Sequence, residues 1–145
     1  MREILFRGKC IDNGEWVIGQ YYKRTHYYGD PSVKHYIIVS TEDLGYDQAL
    51  EYYAVVPTTV GQFTGFVDVT GKDIFEGDIV DASATELALG WPDSTLSVVE
   101  WDDKIGGFDP FADYDCDCGI FTKAHKCVVI GNIHDNPELL EEKHD

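Results

Sequence analysis

The chain has 145 residues, 43% hydrophobic and 13% aromatic, with 27 acidic against 11 basic side chains and a net charge of −16. That length suits one domain or two very small ones and supports a core without disulfide or metal staples, so the composition excludes a disordered acidic segment. A surface this negative repels phosphate backbones and anionic lipid, which argues against generic nucleic-acid binding.

Short apolar runs broken by turn residues dominate, a pattern that predicts strands over helices. Ile4-Leu5-Phe6 opens the chain, and Trp16 to Tyr22 follows the turn residues Asp12-Asn13-Gly14. Asn-Gly between two strand-like runs is a hairpin signal, because both residues tolerate positive φ. Tyr36 to Val39 and Tyr52 to Val56 are rich in β-branched and aromatic residues, with Pro57 ending the second or placing it at an edge. Thr70-Gly71 and Glu76-Gly77-Asp78 predict two reversals, the second leading into a strand at Ile79-Val80. Further strands are expected at Leu96 to Trp101, Gly119 to Thr122 and Cys127 to Ile133. Residues 41–51 and 84–90 have the propensity for short helices. At the end, Asn136 as cap, Pro137 at the first helical position and Glu138 at the positive end of the dipole predict a helix over 137–143.

These elements give a mainly β fold, with one or two small barrel-like sheets and a short C-terminal helix. A single domain over 1–145 is expected, with a possible sub-division into 1–58 and 59–145. Charge is unevenly spread: residues 1–60 carry 8 acids and 6 bases, and residues 61–145 carry 19 acids and 5 bases. An acidic face serves solubility or meets a basic partner, and the first is the commoner use. No apolar stretch approaches the length of a membrane span. The apolar run after Arg2 is only Ile4 to Phe6, too short for a signal peptide. A cytoplasmic protein is therefore expected, with Cys10, Cys116, Cys118 and Cys127 as thiols or ligands.

Three separated runs resemble one family. Met1-Arg2-Glu3-Ile4 with Phe6-Arg7-Gly8-Lys9 resembles the opening of YopX-family proteins, which occur in phages and prophages. Thr59 to Gly65 followed by Gly71-Lys72-Asp73-Ile74-Phe75-Glu76-Gly77-Asp78-Ile79-Val80 is similar to the central signature. Ile130-Gly131-Asn132-Ile133-His134-Asp135-Asn136-Pro137-Glu138-Leu139-Leu140 is similar to the ending. The sequence departs from the pattern at Val69-Thr70, where family members often carry Lys-Asn, and Thr is the poorer positive-φ residue. The resemblance implies a mainly β fold, a phage origin and no established biochemical activity. The resemblance covers nearly the whole chain in the correct order, although residues 82–125 hold no signature of the family.

Candidate chemistry lies in four places. Cys116 and Cys118, with His125 and Cys127, have i, i+2 spacings that put each pair on one face of a strand. The residues between the pairs could close a hairpin, and a Cys₃His zinc site would then be natural. The single-residue gap within each pair is shorter than the usual zinc spacing, and burial as plain hydrophobes is the competing reading. Asp113, Asp115 and Asp117 alternate as calcium loops do, but lack the loop glycine and the terminal bidentate Glu. Glu76 and Asp78 read as turn residues before they read as catalytic carboxylates. Tyr21 to Tyr28 is the only aromatic stretch holding cations (Lys23, Arg24) and His26. Aromatics with cations could hold a single strand, but three cations, counting His26, are too few in so acidic a chain. A strand with aromatics on both faces, or a ribbon projecting into a neighbouring subunit, is the competing reading.

No phosphate loop, nucleophile elbow or H-E-x-x-H is present. No cofactor is expected, no catalytic residue is assigned, and an enzyme is disfavoured. The expected role is a non-enzymatic accessory protein acting through protein contacts or self-association, with aromatic edges as the contacts. The alternatives are an acidic decoy of a nucleic-acid-binding host protein, and a metal-dependent enzyme using segment 109–127.

Overall fold

The computed structural model describes residues 3–25, 32–43, 48–82, 96–111 and 127–141, with the backbone alone at 40–43 and 48–50. The described elements are strands with one short α-helix, in two compact units, Met1–Gln62 and Phe63–Asp145. The charge asymmetry follows the same boundary, because residues 61 and 62 are Gly and Gln.

The first unit is an antiparallel sheet of β1 (Phe6–Lys9), β2 (Trp16–Arg24), β3 (Lys34–Asp43) and β4 (Gln48–Ala54), in the order β4-β3-β2-β1, with the start of β5 (Gly61–Val67) beyond β1. The β1–β2 turn uses Gly14 at φ +71°, while Asn13 Oδ1 accepts the Glu15 amide at 2.9 Å. Gly8 faces Val55 so closely that a Cβ there would lie 3.0 Å from the Val55 side chain. Ile37, Val55 and Cys10 form the buried apolar centre of this unit. The chain leaving β4 bridges back to the end of β1: Ile11 donates to the Ala54 carbonyl at 3.0 Å and Val56 to that of Lys9 at 2.9 Å. The sheet therefore curls, but none closes into a barrel among the described residues. Pro57 starts a 3-10 turn, Pro57–Thr59, and Thr59 Oγ1 accepts the Lys9 amide at 2.9 Å.

The helix expected at residues 41–51 is not formed. β3 runs to Asp43 and β4 starts at Gln48, with Thr41 opposite Leu50 and Asp43 opposite Gln48. Cross-strand pairing outweighs a modest local helix propensity, as tertiary context commonly does. A register shift between Ile38 and Ser40 marks the start of that second stretch of pairing.

In the second unit, β5 pairs with β6 (Asp73–Phe75), and β7 (Asp78–Asp81) lies between β8 (Leu96–Val98) and β11 (Val128–Asn132). β9 (Glu100–Asp102) pairs with β10 (Gly107–Asp109). The strand expected over Leu96 to Trp101 is two strands. Between them Val99 donates to the Asp78 carbonyl and accepts from the Gly77 amide, both at 2.8 Å. The core gathers Ile74, Val80, Ala82, Val99, Phe108, Phe111, Cys127 and Val129, with Phe66 edge-on to Phe111 at 5.8 Å.

The helix is Glu138–Glu141. The Asn136 side chain does not cap it as expected. Its Oδ1 accepts the Asn132 amide at 3.2 Å, while Asn132 Oδ1 takes the amides of His134 and Asp135 at 2.9 Å. This knot explains Gly131, where a Cβ would lie 2.5 Å from Asn136 Oδ1. The predicted helix at 84–90, the strand Gly119 to Thr122 and residues 142–143 of the terminal helix lie outside the described residues. No helix among those residues is long and apolar enough to cross a membrane.

Candidate functional site

Strand alternation sends neighbouring side chains of β2 to opposite faces. Tyr21 faces Phe6 and His35, with its ring 5.5 Å from that of Phe6 and its hydroxyl sharing a 2.5 Å hydrogen bond with His35 Nδ1. Burial pushes the Tyr21 phenol above its usual range, so the hydroxyl stays protonated. Tyr22 and Arg24 face the other way. The register sets Tyr22 opposite Tyr36, Arg24 opposite Lys34 and Ile38 opposite Tyr52. Three strands thus bring Tyr22, Arg24, Tyr36, Ile38 and Tyr52 to one open groove of about 360 Å³.

The groove is aromatic and angular. The rings of Tyr22 and Tyr36 lie 6.5 Å apart at 30°, and those of Tyr36 and Tyr52 lie 5.7 Å apart at 80°. Tyr22 and Tyr52 are 52% and 57% exposed, a large apolar area to leave in water. Its walls offer phenol hydroxyls, which donate and accept, and one guanidinium, which only donates. The groove is built from three tyrosines, of which only Tyr22 falls in the aromatic stretch singled out from the sequence. Tyr36 and Tyr52 read there as ordinary strand residues, since only the pairing of β2, β3 and β4 reveals that they converge. His26, Tyr27 and Tyr28 lie outside the described residues.

The other candidates resolve differently. Of Cys116, Cys118, His125 and Cys127, only Cys127 is described, and it is fully buried in the second unit's core. Desolvation, with Asp68 and Asp78 nearby, pushes its thiol up to about 12. A group raised in this way stabilises the fold while it stays protonated, below its ordinary value of 9.0, and that contribution is lost as the pH rises towards about 12. Cys10 is buried too, and desolvation, then Glu15 and Asp12, raise its thiol. In a Cys116→Ser/Cys118→Ser variant, a thiol reagent at pH 8 is expected to find no reactive cysteine until denaturant is added. Prompt labelling of the native variant would contradict this burial. The acidic run at Asp113, Asp115 and Asp117 lies outside the described residues. Among those that are described, no three His, Cys, Asp or Glu side chains converge as a metal site.

The signature carboxylates are used within the fold. Asp78 is 1% exposed and its Oδ2 accepts the Phe75 amide at 2.7 Å across the turn at Gly77, whose φ is +93°. Asp68 is 3% exposed. Its Oδ1 accepts the Thr70 amide, the Thr70 hydroxyl and the Lys72 amide, and its Oδ2 accepts the Val129 amide at 2.9 Å. Burial alone would raise this carboxyl, but the hydrogen bonds from Thr70, Val129 and Lys72 overcome it and hold the pKa below 3.8. Asp68 thus ties the β5–β6 turn to β11, two segments that lie far apart in the chain.

A family model described as YopX protein matches residues 5–141. The chain belongs to the YopX family. The crystal structure of protein EF1440 from Enterococcus faecalis is similar to it, with a TM-score of 0.57 and 21% identity, covering 97% of this chain and 99% of that one. At that identity the likeness concerns the fold alone. A search of curated proteins finds no match. In this YopX chain the central and terminal signatures supply turns and ties between strands, while the tyrosine groove is assembled largely outside them.

Proposed function

We propose that this YopX-family chain is a non-enzymatic protein-interaction module of a phage or prophage, working in the host cytoplasm and docking its partner on the Tyr22–Tyr36–Tyr52 face. The observation that carries the reading is the exposed aromatic groove on a three-stranded sheet. Tyr supplies large, rigid contact area at low entropic cost, which is why it is enriched in interfaces. The groove also sits on the nearly neutral half of the molecule, where 8 acids meet 6 bases.

The acidic-decoy alternative draws less support. Asp68 and Asp78, two of the 19 acids counted from residue 61 onward, are buried in turns and do not belong to a display surface. A metal-dependent enzyme using 109–127 would need residues that lie mostly outside those described.

The test is a photo-crosslinking amino acid placed at position 52, with a control at Asp103, in the host cell. Defined protein adducts at position 52, absent at 103 and lost on Tyr36→Ala, are the expected result. Equal adducts at both positions, or none at 52, would remove the reading.

A further inference from the structure

We propose that Asn13 is a self-modification site: its side-chain amide is lost to attack by the Gly14 backbone nitrogen when the β1–β2 turn opens, and is guarded while the turn stays closed. The site is independent of the tyrosine groove and of any partner docked there.

The sequence leaves one position for this chemistry. The chain has three asparagines, Asn13, Asn132 and Asn136. Cyclisation of an asparagine needs the backbone nitrogen of the next residue to reach the asparagine Cγ. Glycine obstructs that approach least, because it has no Cβ and the freest backbone. Only Asn13 is followed by glycine. The β-branched Ile133 follows Asn132, and Pro137, which has no N–H to lose, follows Asn136. Asn13 and Gly14 are both exposed, so water reaches the amide and ammonia can leave.

In the folded hairpin both reacting groups are held in hydrogen bonds. The Gly14 N–H, whose nitrogen is the nucleophile, donates to the Cys10 carbonyl at 3.0 Å. The Asn13 side chain, whose Cγ is the electrophile, is pinned through Oδ1, which accepts the Glu15 amide at 2.9 Å. Attack requires the nitrogen to give up its proton and turn its electron pair towards Cγ. A carbonyl oxygen bonded to that N–H favours the protonated form. The closed turn therefore holds the reaction off, and the Cys10 amide on the Glu15 carbonyl at 2.8 Å ties the turn shut. Once it opens, the deprotonated nitrogen bonds to Cγ, the Cγ–Nδ2 bond breaks, and Nδ2 leaves as ammonia with the proton. Water then opens the cyclic imide at one of its two carbonyls, giving aspartate or isoaspartate at position 13.

The two products differ in what they do to the hairpin. Aspartate keeps an oxygen that accepts the Glu15 amide. Isoaspartate routes the main chain through Cβ and Cγ and so adds one backbone atom to the turn. The bonds from Gly14 to Cys10 and from Cys10 to Glu15 are then no longer both met, and the pairing of β1 with β2 loosens. The change runs one way.

The experiment holds the full-length protein in mildly alkaline buffer, folded or in denaturant, and follows position 13 by peptide mass mapping with isoaspartate-specific methylation. The expected result is modification confined to Asn13, slower in the folded protein by about tenfold or more, the scale of two hydrogen bonds lost together. The slowing should match the hydrogen-exchange protection of the Gly14 amide, because one opening of the turn exposes both. The isoaspartyl form, separated chromatographically, should melt below the unmodified protein, whereas Asn13→Asp should not. Equal rates in the two states, faster modification of the folded protein, or a slowing unrelated to Gly14 exchange would overturn the proposal. So would modification at Asn132 in place of Asn13, none at Asn13 in denaturant, or an isoaspartyl form as stable as the unmodified protein.

Discussion

Replacing Asp68 with alanine is expected to cost about 3 kcal/mol of stability, because it strands a buried backbone donor and dismantles a turn together. The Val129 amide loses its acceptor in a buried setting, and a buried donor without a partner costs about 1–3 kcal/mol. The Thr70 and Lys72 amides lie nearer water and lose less, so the sum stays well below four full hydrogen bonds. Asp68→Asn separates the two effects. Its oxygen can keep the three bonds made by Oδ1, but its amide group then faces the Val129 amide, donor to donor. About half of the alanine effect is expected, measured by chemical denaturation at neutral pH.

The acid response gives an independent check. The Asp68 carboxyl is held below 3.8 in the fold, so its ionised form binds better there than in the unfolded chain. A depressed pKa of this kind stabilises above the unfolded value and is lost as the pH falls through the folded value. Wild type should therefore lose stability below about pH 4 more steeply than Asp68→Asn does. Parallel acid profiles for the two proteins would show that Asp68 is not held ionised by these amides.

The second large effect is expected at Gly19. A Cβ at this position would collide with the backbone carbonyl of Ile38 on β3. That atom cannot rotate away as a flexible side chain would, so β2 and β3 must separate locally. Overpacking against a flexible neighbour costs about 1–3 kcal/mol, and a fixed carbonyl puts Gly19→Ala at about 3 kcal/mol or more. The groove should suffer with it, since Ile38 and its neighbours on β3 form one wall. Gly14→Ala is the contrasting control. It has nothing within 4 Å of an added Cβ, and its only penalty is φ +71°, about 1 kcal/mol. Similar melting temperatures for the two variants would refute the close approach at Gly19.

The turns were legible in the sequence because their chemistry is local. Gly14, Gly71 and Gly77 adopt positive φ where turn residues cluster, and Asp68 and Asp78 bond amides within four residues of themselves. The doubtful Thr70-Gly71 pair resolves as a three-residue loop after Asp68, closed by the Gly71 amide on the Asp68 carbonyl at 3.0 Å, with Thr70 spared positive φ. The long reach of Asp68 Oδ2 to Val129 was not legible, since nothing near Asp68 in the sequence marks a partner 61 residues away.

Determined by the sequence alone were the mainly β character, the short terminal helix and membership of the YopX family, because alternation, turn residues and motif order are properties of the chain itself. The tertiary structure alone decided that residues 41–43 and 48–51 pair as strands, that Val99 interrupts a run of strand formers, and that Tyr36 and Tyr52 join Tyr22. The physical reason is the same in each case. Alternation says which residues share a face of one strand, but which strands meet, and in what register, is settled by contacts between residues far apart in the chain.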